Sequence, residues 1–293
     1  MISQNSLRQV FVVDAVRTPI ARYAGGLATV RPDDLAAHII SSLVRRNEAA
    51  AGVLDHVVFG ATNQAGEDNR NVARMALLLA GLPYEVPAVT VNRLCGSGLE
   101  AVNDAARMIA LGEADCAVAG GVESMTRAPF SMPKQASAFD RAPPPVYDTT
   151  LGWRYPNPRM EARFPLISMG DTAENVAQKH NISRADQDLF ALESHKKAAC
   201  AWQENAFANE VVPVPVPQKK GEPVMFAKDE CVRADASVEA LAKLAPVFRK
   251  GGSVTAGNSS PINDGASGLL LASADVVQRL GLQPLARVVG GQT

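Results

Sequence analysis

Short apolar runs alternate with segments of helical period across the first third of the chain, and that alternation confines it to the α/β class. Val10 to Ala15 reads as a strand. Leu35 to Arg46 reads as a helix with Leu35, Ile39 and Leu43 on one face and Asp33 or Asp34 as its cap. Val57 to Ala61 is the next strand, and Asn71 to Ala80 the next helix, closed by Gly81 and Pro83. Val86 to Val91 then reads as a short buried strand. Leu99 to Leu111 reads as a helix with Leu99, Val102, Ala106 and Ile109 inward and Gly112 as its stop. A largely parallel sheet covered on both faces follows. Ligands of such sheets gather at the carboxyl ends of the strands.

Cys95 follows one of those strand ends, in Asn92-Arg93-Leu94-Cys95-Gly96-Ser97-Gly98. The spacing puts it at or beside the first turn of the next helix, facing unpaired N–H groups and the positive end of the helix dipole. Thiolate is the reactive form of cysteine, and such a field favours it. Gly96 and Gly98 leave room for a substrate, and the same N–H groups would hold an oxyanion. Cysteine elsewhere is usually a small buried hydrophobe. Cys116, in an apolar strand, is read that way. Cys200 falls in a long helix and Cys231 in a polar loop.

The unit continues to Gly120-Gly121-Val122-Glu123-Ser124-Met125, and it closely resembles the thiolase family of acyl-CoA acyltransferases. Two further stretches agree: Asp14-Ala15-Val16-Arg17-Thr18-Pro19, and Val254-Thr255-Ala256-Gly257-Asn258-Ser259-Ser260-Pro261-Ile262-Asn263-Asp264-Gly265. Three motifs in the expected order carry far more weight than any one alone. The resemblance runs from about Val10 to the last residue and implies an α/β, thiolase-like layered fold with a mixed, mostly parallel sheet. Residues 1–127 would form the N-terminal βαβαβ core. Residues 128–250, rich in proline, would be the long insertion that covers the active site and binds CoA. Residues 251–293 would return to the core. Within the insertion, one helix is legible over Thr172 to His180. Another starts at the Ser183/Asp186 capping box and runs to about Asn205.

The resemblance implies that the Cys95 thiolate attacks the 3-keto carbon of a 3-oxoacyl-CoA, releases acetyl-CoA and passes its acyl group to free CoA. Ser260 would meet the pantetheine amide, with Ala256 on the same CoA-binding loop; Pro261 stands where the family usually has glycine. Arg233 would lie near the CoA nucleotide, and Met169 and Phe248 along pantetheine. The family's general acid and base come from Gly-His-Pro and Cys-x-Gly motifs, which these 293 residues do not contain. The expectation is therefore that the C-terminal core half is absent and that the chain alone is slowed, by about 10²–10⁴-fold if acid–base help is lost. His38, His56, His180 and His195 read as surface or capping residues.

Ser168, where acetoacetyl-CoA enzymes typically carry histidine, leans toward a degradative member. Asn63 to Met75 and Asp148 to Arg154 resemble members that act on 3-oxoadipyl-CoA in aromatic catabolism. Arg70, Arg74 or Arg154 would suit the free carboxylate of that substrate, or would serve capping and subunit contacts. The alternatives are acetoacetyl-CoA acetyltransferase and a non-catalytic thiolase fragment.

A formal net charge of −1 gives no footprint for nucleic acid or anionic membrane, and no apolar run is long enough to span a bilayer. The polar start, Met1 to Gln9, lacks a signal-peptide core, so the expected location is cytoplasmic. No Cys-x-x-Cys pair or zinc-ligand spacing occurs, so neither a metal nor a bound cofactor is expected; coenzyme A enters as substrate. The family forms dimers and tetramers, so a homo-oligomer is expected.

Overall fold

The computed structural model describes residues 7–135, 137–139 and 141–292; Met1–Ser6, part of the polar start, lie outside them. In chain order the elements are β1 (Val10–Arg17), β2 (Ala21–Arg22), α1 (Pro32–Arg46), α2 (Glu48–Ala51), β3 (His56–Gly60), α3 (Val72–Leu79), β4 (Ala88–Val91), α4 (Ser97–Leu111) and β5 (Cys116–Ser124). There follow β6 (Phe130–Ser131), β7 (Tyr147–Asp148), α5 (Pro158–Glu161), α6 (Met169–His180), α7 (Arg184–Gln203), β8 (Val214–Val216), β9 (Val224–Phe226), α8 (Val238–Ala242), β10 (Asn263–Ser273), α9 (Ala274–Leu280) and β11 (Ala286–Val288). They fall into two compact units. The first holds residues 1–127, 209–230 and 263–293, and the second 128–208 and 231–262. Residues 209–230 and 251–262 thus group differently from the boundaries drawn on the sequence.

Among the described residues, the first unit is built on a sheet ordered β11-β1-β10-β5-β3-β4, with β2 against β10. The α/β class and the mixed sheet stand as expected. β3, β4 and β5 pair in parallel, while β10 pairs antiparallel with both β5 and β1. One strand direction therefore dominates, but β10 runs against it between β1 and β5. The central strands alternate between two cores. Cys116 and Val118 face the side of α1 and α3, while Ala117 and Ala119 face the side of α4. Burial on both faces explains why β5 is apolar without alternation. Leu35, Ile39 and Leu43 of α1 are buried as their spacing demands.

Three local readings need correction. No side chain caps α1: Arg31 precedes it in an extended conformation, Pro32 opens it, and Asp33 instead pairs with Arg31 at 2.8 Å. Proline suits that first position because its missing N–H is unpaired there anyway. β4 is half-exposed rather than buried, because it is the edge of the sheet. Leu99 is 65 % exposed, and the inward face of α4 runs through Ala101, Ala105 and Ile109.

The Leu99 correction has a steric cause. α4 starts directly on the strands, with backbone on backbone. A Cβ on Gly60 would lie 2.2 Å from the Ser97 carbonyl carbon, and one on Gly121 would lie 3.2 Å from Gly98 Cα. The first turn of α4 is therefore seated through Ser97 and Gly98, which turns Leu99 outward. Gly98 faces Gly120 and Gly121, where a Cβ would come no nearer than 3.8 Å, so the tight positions of this seat are Gly60 and Gly121 on the strands.

In the second unit, α6 and α7 are capped by Ser168 and Ser183, whose hydroxyls accept from the N–H groups of Asp171 and Asp186. The Asp186 carboxylate also accepts from the Ser183 hydroxyl at 2.7 Å, a variant of the expected box.

Gly60→Ala is expected to destabilise the protein by about 1–3 kcal/mol, since the clash is with backbone. Gly52→Ala, whose Cβ would meet nothing within 4 Å, is the control. Denaturant melts of the two variants check this; equal midpoints would contradict the seat.

Candidate active site

Cys95 is exposed and lies immediately before Gly96, the uncapped start of α4. The turn that presents it is sharply constrained. Leu94 has φ +49°, a left-handed conformation that costs a leucine on the order of 1 kcal/mol or more. Ser97, buried, accepts from the Arg93 N–H at 2.8 Å and donates to the Leu94 carbonyl at 2.6 Å. Asn92 accepts from the Leu94 N–H at 2.9 Å. The N–H groups of Gly96 and Ser97 close the turn onto the Arg93 and Leu94 carbonyls. An anion at this helix start would therefore meet N–H groups further into the first turn. Sequence spacing placed Cys95 correctly but gave no sign of Ser97 and Asn92, since serine and asparagine are ordinary at such turns.

The motifs around Cys95 are largely scaffold. Glu123, near the end of β5, accepts from the Thr62 N–H at 2.8 Å, the Thr62 hydroxyl at 2.6 Å and the Asn63 N–H at 3.3 Å. Asp264, fully buried, accepts from the Thr126 N–H at 2.9 Å and hydroxyl at 2.6 Å. The Arg17 guanidinium binds Asp229 at 2.8 Å and Glu210 at 2.7 Å, which pins residues 209–230 to the first unit.

The residues read as CoA contacts lie in the second unit. Glu174 of α6, buried, takes the Val254 N–H at 2.8 Å and the Ser253 N–H at 2.9 Å. Asp188 of α7 holds Asn258 Nδ2 at 2.9 Å, and Asn258 in turn accepts from the Thr255 N–H at 2.8 Å. These bonds build the loop that exposes Ala256 and Ser260, and all of them precede Pro261. The Phe248 ring lies where a Cβ of Gly170 would be, 2.2 Å from that position, and Met169 beside it is 77 % exposed. Val247 bonds to Val254 across a short antiparallel bridge. Met169, Phe248 and the loop of Ala256 and Ser260 thus share one framework. Arg233, exposed, sits on a separate turn where its backbone N–H donates to His195 Nδ1 at 3.2 Å. Sequence reasoning missed Glu174 and Asp188, whose helix positions look like ordinary polar surface.

Other candidates are employed elsewhere. The Arg74 guanidinium donates to the carbonyls of Val86 and Tyr84, at 2.7 and 2.8 Å. His38 Nε2 lies 3.0 Å from the Pro213 carbonyl oxygen. Burial pushes the Cys116 thiol up to about 12, and the Glu204 carboxylate raises that of Cys200. Among the described residues, no group of three His, Cys, Asp or Glu side chains could hold a metal ion, and no helix is long and apolar enough to cross a membrane.

The family profile described as thiolase, N-terminal domain, matches residues 10–275. The chain belongs to the thiolase family. A beta-ketoadipyl-CoA thiolase of Acinetobacter baylyi is 52% identical over 98% of this chain and 72% of its own length. Another from Pseudomonas knackmussii is 55% identical over 97% of this chain and 70% of its own. Human mitochondrial 3-ketoacyl-CoA thiolase, solved in complex with CoA, superposes with TM-score 0.86 at 35% identity, over 97% of this chain and 69% of that one. The thiolase motifs read from the sequence all lie inside this match.

Two buried carboxylates give opposite expectations in this thiolase. Burial, helped by the Glu123 and Asp33 carboxylates, pushes the Asp68 carboxyl up to about 6 despite its bond from the Gly66 N–H. The folded state then binds this proton more tightly than the unfolded chain. Stability is fullest below the ordinary carboxylate value and falls as pH rises through about 6. Asp68→Asn keeps an acceptor for Gly66 and is expected to stabilise by on the order of 1 kcal/mol at pH 7.5, with the gain vanishing near pH 4. Thermal melts against pH check this; no gain at pH 7.5 would contradict it. Burial opposes the charge on Glu174, but the N–H groups of Val254 and Ser253 outweigh it and hold its carboxyl low. Its contribution is present above the ordinary value and fades in acid. Glu174→Gln is expected to cost about 1–3 kcal/mol and to speed amide exchange at Ser253 and Val254.

Proposed function

We propose that this thiolase cleaves 3-oxoadipyl-CoA with coenzyme A, yielding acetyl-CoA and succinyl-CoA through a succinyl-Cys95 intermediate. The Cys95 sulfur attacks the C3 carbonyl. The C2–C3 bond breaks, and C2 keeps the electron pair and takes a proton, releasing acetyl-CoA. The CoA sulfur then attacks the succinyl thioester, frees the Cys95 thiolate and leaves as succinyl-CoA. The second step exchanges one thioester for another of similar leaving-group strength and is near balance, and the covalent intermediate between the two steps makes the cycle a ping-pong.

The substrate reading is carried by relatives 52% and 55% identical to nearly the whole chain, both bearing the beta-ketoadipyl-CoA name. The exposed, tightly turned Cys95 beside an uncapped helix start supports its role as nucleophile. Ser260 and Ala256, Met169 and Phe248, and Arg233 are read as the CoA-binding set of the second unit, in keeping with a neighbour solved with CoA. Coenzyme A serves as substrate, with no resident cofactor. The Gly-His-Pro and Cys-x-Gly motifs to which the thiolase resemblance assigns the general acid and base do not occur in these 293 residues, which span about 70% of the relatives' length. Exposed apolar side chains, Val89 on the sheet edge and Trp153 and Phe164 in the second unit, fit a homo-oligomer.

Mass spectrometry of the chain after brief exposure to each thioester tests the assignment. Succinyl label on Cys95 from 3-oxoadipyl-CoA is expected to accumulate faster than acetyl label from acetoacetyl-CoA. The reverse order would favour the acetyltransferase reading, and label on another cysteine would overturn the role of Cys95.

A further inference from the structure

The turn carrying Cys95 follows β4 and is tied to a carboxylate on β5, two strands away. Glu123 closes β5 and, through three hydrogen bonds, fixes Thr62 and Asn63 in the loop after β3. The Thr62 carbonyl, so oriented, accepts from Asn92 Nδ2 at 3.0 Å in the loop after β4. Asn92 then spends its other side-chain atom on the Leu94 N–H at 2.9 Å. Leu94 is the residue held at φ +49°, and Cys95 is next to it. Both polar atoms of the Asn92 amide are thereby used, one to reach back across the strand ends and one to set the turn. Nothing in the bare pairing of β3 with β4 requires this bridge, since that ladder ends at Gly60 and Val91.

We propose that Asn92 is a positioning residue for Cys95, and that Glu123 acts through Thr62 to hold Asn92 in place. A left-handed leucine is unfavourable by itself and persists only where its surroundings fix it. Asn92 supplies the acceptor that fixes the Leu94 N–H. The Thr62 carbonyl fixes Asn92, and the Glu123 carboxylate fixes Thr62. Without the relay, Leu94 relaxes toward ordinary backbone angles, and the Cys95 sulfur leaves the start of α4. A displacement of about 1 Å at a reacting atom is enough to cost on the order of 10²-fold in rate. The proposal rests on the reading of Cys95 as nucleophile.

The test follows iodoacetamide labelling of each cysteine in the whole chain, together with acyl label from 3-oxoadipyl-CoA. Asn92→Ala is expected to slow both reactions at Cys95 by about tenfold or more, while labelling of Cys200 and of buried Cys116 keeps its wild-type rate. A variant that merely loosened the fold would speed Cys116, which serves as the internal control. Glu123→Gln, which keeps one acceptor oxygen, is expected to give a smaller slowing confined to Cys95. It also stands in if Asn92→Ala fails to fold. Wild-type rates at Cys95 in both variants would overturn the proposal, as would slowing accompanied by faster Cys116. Cys95→Ser separates the two claims. Acyl label that survives in Cys95→Ser sinks the nucleophile, whereas its loss with unaffected Asn92→Ala sinks only the positioning relay.

Discussion

Backbone packed on backbone is the constraint from which the first unit is built. α4 approaches β3 and β5 so closely that Gly60 has no room for a Cβ and Gly121 little, and Gly120 is closed against Ser267 and Gly268 of β10. That approach fixes the height and tilt of the helix start relative to the strand ends. The inward Ser97 and the outward Leu99 are its geometric results. Two apolar layers of small side chains, Ala117 and Ala119 against Ala101 and Ala105, continue the same close contact along the helix.

A second feature is the use of buried acids as joints. Asp264, Glu174 and Asp188 are each nearly inaccessible, and each is surrounded by N–H or hydroxyl donors rather than left bare. A buried carboxylate is tolerated only when so satisfied, and removing a donor then costs more than an ordinary hydrogen bond. Loops held this way keep their shape without a regular ladder. The stretch from Val254 to Gly265, one motif in the sequence, is divided between the units. Its first part is held by Glu174 and Asp188, and its last part joins β10.

Strand and helix alternation, the cap at Ser183 and the place of Cys95 were all legible from residue type and spacing. These are local properties, written in neighbours three or four residues apart. What escaped was set by partners distant in the chain. The edge position of β4 depends on which strands lie beside it, not on its own apolar content. Gly60 reads as an ordinary strand residue and shows its role only against Ser97, which is distant in the chain. Asn92, Ser97, Glu174 and Asp188 are unremarkable as letters and acquire meaning only through bonds to Thr62, Leu94, Val254 and Asn258. The resemblance to thiolases supplied the family from motifs, and no periodicity would have done so.

The position of β10 governs how this protein is made. Among the described residues β1 precedes every other strand, yet its partners in the main sheet are β10 and β11, far later in the sequence. Val10 waits for Ser273 before it has a neighbour. Throughout synthesis of the intervening residues, β1 and β5 both present open flanks where β10 will insert. Closure of the sheet is thus a late, long-range event, slow by its loop entropy and exposed meanwhile to mispairing between nascent chains.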